Sequence, residues 1–452
     1  IRGRLRSRGL GDVYKRQGLF APTIRYHEGT FYIICTNVSY GGNFIITAQN
    51  PAGPWSEPHY IEGADGIDPS LFFDEDGTCY YIGTHPNPAG CQYDGDWYIW
   101  IQELDIENMK LVGEVHNVWN GAMRNIIWPE GPHLYKIGEY YYIMHAEGGT
   151  GPDHAVTVCR SKNVYGPYEN NFCNPILTHR HLGRKYPICY VGHADLVKTI
   201  NDEWYMVMLA VRPLEGYTTM GRETFLARVE WENDWPVVNP GVGRLTDTVE
   251  INLPKWTAYT AESNEYVFST MGQLPPEFMV LRNADKSHYS LEKGKGLLML
   301  FDTHTLKEQA SPSYLALRQK HHHFMAKALL DVSNLSEDKR AGIAYVQNNL
   351  YNLRVEVNGK MAEVILCEKG TDRRVISMPL QGSNPLEVSL EVDGLSAAVI
   401  IEGQKSPEVD IRTLSTEAAG GFTGCTVGLY AVADTENTDC ACFKRFSYSE
   451  VL

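Results

Sequence analysis

Three polar residues take matching places in an internal repeat of this chain. Asp68, Glu130 and His193 each open a segment with the same plan, and Ala21 takes the corresponding place in a fourth segment. Two carboxyl groups and an imidazole suit acid–base chemistry, because one protonated carboxyl group can donate to a leaving oxygen while a second carboxylate activates water or attacks. The repeat therefore predicts a hydrolytic site, provided that the fold brings these positions together.

The sequence around Glu130 favours the proton-donating role. Trp128 and Pro129 precede it, so its carboxyl group is expected to be poorly hydrated. Poor hydration raises the pKa of a carboxyl group, and the negative charge of Asp68 would raise it further. The alternative is structural: Glu130 could cap the amides of the following turn, and Asp68, which precedes Pro69, could simply begin a turn.

Two further residues complete the candidate site. His193 lies in the sequence Gly-His-Ala-Asp, and Arg222 lies in Gly-Arg-Glu-Thr. His193 is either a hydrogen-bonded core histidine or a group that holds a water molecule or a metal ion. Arg222 is either a surface ion-pair residue or a guanidinium group that binds sugar hydroxyls and orients the acid.

The segments that carry these residues predict a β-propeller. Each consists of two apolar or aromatic runs joined by a turn, which is typical of a hairpin. The turns are Glu28-Gly29, Asp76-Gly77, Gly138-Glu139 and Asn201-Asp202. The first residues of successive segments, which we call the segment heads, lie 47, 62 and 63 residues apart. This spacing is the length of a four-stranded blade with variable loops. Because the innermost strand of each blade lines the axis, the heads should converge on one pocket.

Residues 1–17 do not fit this pattern. They contain five Arg, one Lys and one Asp without helical or strand periodicity, and no apolar stretch of a signal peptide follows them. We interpret them as a foreign or disordered segment that stands in place of most of the first blade. The predicted organisation is all-β: a five-bladed propeller over residues 18–250, with its first blade largely missing, followed by a β-sandwich over residues 251–452.

The C-terminal half alternates with the period of two that is typical of strands. Turn sequences such as Asn358-Gly359 and Asp393-Gly394 separate the runs, which predicts an antiparallel jelly-roll sandwich. Residues 236–270 are interpreted as a linker between the domains. The run His321–His323 makes a poor chelate, because adjacent side chains on a strand face opposite sides, so we predict no metal site there.

Composition disfavours several classes of partner. The formal net charge of −15 disfavours nucleic acid and anionic membranes, and no apolar run approaches the roughly 20 residues that cross a bilayer. The 27 Tyr and 9 Trp residues suit stacking on sugar rings, although aromatic residues are common in β-sheets anyway. The 10 Cys residues lack zinc-type spacing, and free thiols favour a reducing compartment such as the cytoplasm.

These motifs resemble glycoside hydrolase family 43, the group of β-xylosidases and α-L-arabinofuranosidases. The matching stretches are APTIRYHEGTFY, GIDPSLFFDEDGTCYY, WPEGPHLYKIGEYYY, AEGGTGPDHAVTVCRSKNVYGPYE, NPILTHR, GHADLV and GRETFLARVEW. The resemblance implies that Glu130 is the general acid, that Asp68 tunes its pKa and orientation, and that Arg222 and His193 bind substrate. It also implies inversion and a concanavalin-like sandwich. No cofactor is required, although in some members the axial histidine contacts water around a calcium ion.

One departure from the family concerns the general base. The family carries it as an Asp in the first blade, ahead of the APTIRYHEGTFY stretch, where this chain has residues 1–17. Asp12 lies there in surroundings that do not match, so we assign no general base and expect weak or absent hydrolysis of xylosides.

The expected substrates are xylo-oligosaccharides or arabinoxylan fragments, with β-xylosides and arabinofuranosides both open. A non-catalytic carbohydrate-binding propeller and an invertase-like fructosidase are the alternative functions. The sequence leaves the oligomeric state open.

Overall fold

The computed structural model describes residues 18–254, 265–282 and 286–451. These residues divide into two units. The first holds residues 18–212 and 222–254, and the second holds residues 213–221 together with the described residues after residue 264. No helix in the described ranges is both long and apolar enough to span a bilayer.

The first unit consists of four antiparallel sheets with four strands each, and spatial order within every sheet follows chain order. The strands of the first two sheets are β1 (Thr23–His27), β2 (Thr30–Asn37), β3 (Gly42–Ala48), β4 (His59–Tyr60), β5 (Ile67–Phe73), β6 (Cys79–Pro86), β7 (Trp97–Asp105) and β8 (Lys110–Trp119). Those of the other two are β9 (Glu130–Ile137), β10 (Tyr140–Glu147), β11 (Ala155–Ser161), β12 (Glu169–Asn170), β13 (Cys189–Lys198), β14 (Trp204–Val211), β15 (Glu223–Glu232) and β16 (Trp235–Val238).

The four sheets are blades of a propeller. Their first strands, β1, β5, β9 and β13, contact one another from blade to blade, and each of the four predicted turns joins a first strand to a second strand. Second strands such as β10 bury their aromatic and β-branched side chains between blades, as their residue types favour. The predicted all-β propeller is confirmed, with four blades formed by the described residues.

The second unit is a sandwich of a nine-stranded and a seven-stranded antiparallel sheet. The nine strands are β17 (Glu265–Val267), β19 (Tyr289–Glu292), β20 (Gly296–Leu300), β22 (His323–Asp331), β27 (Leu386–Asp393), β28 (Ser396–Ile401), β29 (Gln404–Lys405), β30 (Val409–Asp410) and β32 (Cys440–Glu450). The seven strands are β18 (Met279–Val280), β21 (Tyr314–Arg318), β23 (Lys339–Asn348), β24 (Tyr351–Val357), β25 (Met361–Glu368), β26 (Thr371–Pro379) and β31 (Thr426–Ala433). The single α-helix of the described residues, α1 (Thr416–Ala419), also belongs to this unit.

One hydrophobic core lies between the two sheets of the sandwich. Phe324 and Phe443 enter it from the nine-stranded sheet, and Ile343 and Leu429 enter it from the seven-stranded sheet. In β22 buried and more exposed residues alternate along the strand, which is the period of two that the sequence shows. The predicted sandwich is therefore confirmed.

Two details of the C-terminal half differ from the sequence interpretation. The predicted linker over residues 236–270 contains strand at both ends, because Pro236 lies in β16 and β17 begins at Glu265. Proline is tolerated there since β16 is the outermost strand of its blade. Of the three adjacent histidines only His323 lies in a strand, and its Nδ1 is 2.5 Å from Asp393 Oδ1.

Cysteine is found in both units, whereas tryptophan is concentrated in the first. All ten cysteines are described and are free thiols, and only Cys91 and Cys173 are exposed. Eight of the nine tryptophans lie in the first unit, whereas Trp256 lies outside the described residues.

Candidate active site

A β-bulge interrupts the first strand of three blades at the same place. The flanking pairs are Ile67 with Thr84 and Ser70 with Ile82, Glu130 with Ala146 and His133 with Met144, and Gly192 with Leu209 and Asp195 with Val207. Between the two flanking pairs, the first strand therefore contains one residue more than the second strand, as a bulge requires. Bulges commonly redirect side chains next to active sites.

In all three bulges, the residue that directly follows Ile67, Glu130 or Gly192 in the first strand has a left-handed backbone. Its φ angle is 52° at Asp68, 58° at Gly131 and 54° at His193. This conformation is uncommon for residues other than glycine and costs free energy, so its recurrence at Asp68 and His193 makes these positions candidates for a functional site.

The bulges correct the alignment on which the sequence prediction depended. Gly131, not Glu130, is level with Asp68 and His193, and Glu130 lies one residue earlier, level with Gly192. Glycine suits this place in the third blade because a Cβ atom on Gly131 would lie 2.8 Å from Nε2 of His193. The structure nevertheless brings Asp68, Glu130 and His193 to the same end of neighbouring strands.

The two carboxyl groups and Arg222 form one electrostatic cluster. Asp68 is buried, whereas Glu130 and Arg222 remain partly exposed and open to a ligand. Loss of hydration raises the pKa of Glu130 to about 8, with a further increase from the charge of Asp68 and a decrease from Arg222. Burial raises the pKa of Asp68 to about 6, against the lowering effects of Arg222 and of a hydrogen bond from the Gly131 amide. Within this pair Glu130 therefore holds a proton more firmly than Asp68 does.

His193 completes the cluster as a neutral imidazole. Burial and the charge of Arg222 lower the pKa of His193 to about 4, against the opposite effect of Asp195. The preceding residue, Gly192, leaves room for the ring of His154, because a Cβ atom on Gly192 would lie 2.4 Å from that ring. His154 Nδ1 donates to the carbonyl oxygen of Tyr190 at 3.0 Å, and burial lowers the pKa of His154 to about 3.

Sequence reasoning missed a second polar cluster next to the first. It contains Arg25, Ser70, His133, Tyr135 and Asp195, one or more from each blade. The signal was present in the repeat, because the residue two positions after each bulge residue is polar between apolar neighbours: Pro69-Ser70-Leu71, Pro132-His133-Leu134 and Ala194-Asp195-Leu196.

A calcium ion bound directly by these side chains does not fit the site, whereas the expected contact of His193 with water around such an ion stays a prediction. Calcium prefers six to eight oxygen ligands, and the described residues contain no group of three or more His, Cys, Asp or Glu side chains that could hold a metal ion. Of the neighbouring groups, the Arg222 guanidinium has the largest effect on the pKa of His193, and its positive charge would repel a cation. No step proposed below uses a metal. Asp12 and the interpretation of residues 1–17 lie outside the described residues.

Comparisons with known proteins agree with this arrangement. Residues 4–236 match the family model "Glycosyl hydrolases family 43", and residues 266–449 match "Beta xylosidase C-terminal Concanavalin A-like domain". A xylosidase/arabinosidase of Butyrivibrio fibrisolvens is 47% identical over 98% of this chain and 87% of its own length. A non-reducing end α-L-arabinofuranosidase of Bacteroides ovatus is 36% identical over 95% of this chain and 81% of its own.

The solved structures give the same result. The crystal structure of a xylan β-1,4-xylosidase from Bacillus halodurans superposes with a TM-score of 0.88 at 30% identity, covering 99% of this chain and 89% of that one. The family match spans more than half of the chain, and the B. fibrisolvens relative is similar along nearly all of it. This chain therefore belongs to glycoside hydrolase family 43 and is a glycosidase with a C-terminal concanavalin-like domain.

Proposed function

We propose that this glycosidase removes terminal pentose residues, β-D-xylose or α-L-arabinofuranose, from xylan or arabinoxylan oligosaccharides by inversion. Glu130 is the general acid, Asp68 tunes its pKa and orientation, and Arg222 and His193 bind the sugar. The names of the relatives support the substrate class, because they act as xylosidases or arabinofuranosidases. The observation that carries the proposal is the convergence of Asp68, Glu130 and His193 at matching bulges of neighbouring strands, where the guanidinium group of Arg222 acts on all three.

In the proposed step the C1–O bond breaks as the Glu130 carboxyl group donates its proton to the glycosidic oxygen. The oxygen of a water molecule forms the new bond to C1 from the opposite face and loses a proton to a general base. We assign that base to none of the described residues. Asp68 remains ionised throughout, and its charge keeps the proton on Glu130 until the leaving oxygen takes it.

Arg222 and neutral His193 suit the sugar rather than the chemistry. A guanidinium group donates to hydroxyl oxygens in fixed directions, and an imidazole that stays neutral can donate to one hydroxyl group or accept from another. Both residues are partly exposed, as contact with a ligand requires. The five-blade count belongs to the same proposal, since the described residues form four blades.

Replacing Glu130 tests the proposal by the dependence of rate on the leaving group. We expect Glu130→Gln to slow hydrolysis of xylobiose by about 10²–10⁴-fold, because its leaving alcohol needs a proton. Hydrolysis of dinitrophenyl β-xyloside, whose leaving group needs none, should change far less. Equal losses on both substrates would contradict the assignment of the acid. Glu75→Gln, at a side chain that is 84% exposed on the neighbouring blade, is the control.

Sodium azide tests the same site when hydrolysis by the unmodified chain is weak. Azide can attack C1 of an aryl β-xyloside without a general base, releasing the phenolate and forming α-xylosyl azide. We expect azide to accelerate phenolate release and NMR to show the α product, as inversion requires. A β product, or no acceleration together with no binding of xylose by calorimetry, would refute the proposed function.

A further inference from the structure

The hub of the first unit, the region where the first strands of the four blades meet, contains an ion pair. The proposed hydrolysis does not use this ion pair. Nη1 of Arg25 donates to Oδ2 of Asp195 at 2.7 Å, and Nη2 lies 3.3 Å from Oδ1. The two side chains are 20% and 28% exposed, so most of each is removed from water. Arg25 belongs to β1 and Asp195 to β13, so the pair joins the first and the fourth described blade across 170 residues of chain.

The two intervening blades hydrogen-bond to the same ion pair. Tyr135 of β9 donates to Oδ1 of Asp195 at 2.5 Å and accepts from the Leu196 amide at 2.9 Å. Nδ1 of His133 lies 3.0 Å from Nη2 of Arg25, which also lies 3.3 Å from Oγ of Ser70 in β5. Arginine only donates, so His133 accepts through Nδ1, and burial lowers the pKa of His133 to about 3.

The charges of this network balance without a bound ion. Burial raises the pKa of Asp195, but His133, Arg25 and Tyr135 outweigh burial and lower this pKa to about 2, so Asp195 is ionised. His133 stays neutral, so Arg25 supplies the positive charge that Asp195 requires. A divalent cation would add charge to a site that is already neutral, and Arg222 presents a second guanidinium group to the adjacent His193.

The network is connected to the candidate active site through three short stretches of backbone. Ser70, His133 and Asp195 each lie two residues after a bulge residue, which is Asp68, Gly131 or His193 respectively. Only one residue separates each network residue from its bulge residue. Fixing the three network side chains relative to one another therefore fixes the spacing of the bulges that carry the catalytic groups.

We propose that Arg25 is a positioning residue that acts as a fixed cation at the hub, aligning the strands of Asp68, Glu130 and His193 in place of a bound metal ion. This inference rests on the proposed function for its catalytic readout. Its predictions about charge and calcium stand independently of any activity.

Thermal unfolding of charge variants tests the cation role. Arg25→Met leaves Asp195 ionised without its partner, so we expect Tm to fall by about 10 °C. In the double variant Arg25→Met/Asp195→Asn both charges are gone, and we expect more than half of the loss to be recovered. Arg228→Met, which removes an exposed guanidinium group 3.3 Å from Glu230, is the matched control and should leave Tm almost unchanged.

Calcium and chelator titrations test the second part of the inference. Neither calcium chloride in millimolar excess nor EDTA should change the Tm of the unmodified protein. A rise in Tm with calcium, a fall with EDTA, or an Arg25→Met variant as stable as Arg228→Met would overturn the inference. So would a double variant that is no more stable than Arg25→Met alone.

Substrate kinetics separate positioning from simple stabilisation. Well below the Tm of every variant, Arg25→Met should lower kcat for azide-assisted cleavage of the aryl xyloside at least tenfold with little change in KM, and Arg25→Lys should restore part of the rate. Unchanged kcat in Arg25→Met would overturn the positioning role. If the unmodified protein neither cleaves nor binds xylosides, the proposed function fails, while the thermal experiments still judge the role of Arg25 as the hub cation.

Discussion

At the scale of single residues, the protonation of Glu130 links activity to stability. When folding raises the pKa of a carboxyl group, the free energy of unfolding of the protein falls as pH rises, because the carboxyl group ionises first in the unfolded chain. For Glu130 this loss begins near its ordinary value of 4.5, grows up to about 8 and then levels off. The proposed proton donor is therefore also a source of instability in alkaline solution.

The substitution Glu130→Gln should remove this source of instability. We expect its Tm to match that of the unmodified protein below about pH 4.5 and to exceed it by about 5 °C above pH 8, because glutamine resembles the protonated acid and never ionises. Thermal scans between pH 4 and pH 9 measure the difference. A constant difference across this range would show that Glu130 titrates normally.

Asp68 should control the size of that effect. Its negative charge is the second cause of the raised pKa of Glu130, after burial. In an Asp68→Asn background the pKa of Glu130 should fall, so adding Glu130→Gln should increase Tm less and over a narrower pH window. Thermal scans of the single and double variants measure this coupling, and Glu75→Gln should leave the full effect in place. An unchanged window would place Asp68 outside the cluster.

At the scale of elements, the bulges set the geometry of the site. A one-residue bulge redirects the residues beside it, and each of these three bulges contains a left-handed residue. In two blades this residue is Asp68 or His193, which costs strain, whereas the third blade has Gly131. The glycine also leaves room for the imidazole of His193. The third blade therefore carries the proposed acid one residue earlier, at Glu130.

Gly131→Ala should separate steric from conformational cost. Its Cβ atom would lie 2.8 Å from His193 Nε2, whereas a Cβ atom on Gly138, at φ 61°, would have no neighbour within 4 Å. Both substitutions place alanine in the left-handed region at a cost of about 1 kcal/mol, and only Gly131→Ala adds a clash. We expect Gly131→Ala to weaken xylose binding at least tenfold and Gly138→Ala to leave it unchanged, as measured by calorimetry. Equal binding would show that the imidazole can move aside.

The sequence predicted elements better than registers. Alternation, turn residues and the repeat identified the hairpins of all four blades and the strands of the sandwich, because these depend on local patterns. The bulges were not predicted, because one extra residue near the end of a short strand shifts the alternation of only two or three residues, and Glu130 was aligned one place wrongly as a result. Arg25 was missed because its partner Asp195 is 170 residues away.

At the scale of the whole molecule, each unit has a core of its own. Phe443 is fully buried between the sheets of the sandwich. We expect Phe443→Ala to destabilise this unit by about 3–5 kcal/mol, which lowers its Tm by about 10 °C. Circular dichroism in the far ultraviolet measures the transition, and Phe422→Ala, at a side chain that is 38% exposed, is the control. A smaller loss than in the control would place Phe443 outside the core.

The uneven distribution of tryptophan gives the molecule a built-in optical label. Eight indole rings belong to the propeller, and one of them, Trp128, lies two residues before Glu130. Selectively excited emission therefore originates mainly in the catalytic unit, where quenching or a spectral shift would report sugar entering the site. Excitation at shorter wavelength would add the tyrosines of both units, so comparing the two excitation wavelengths shows how much of a change comes from the tryptophans of the propeller.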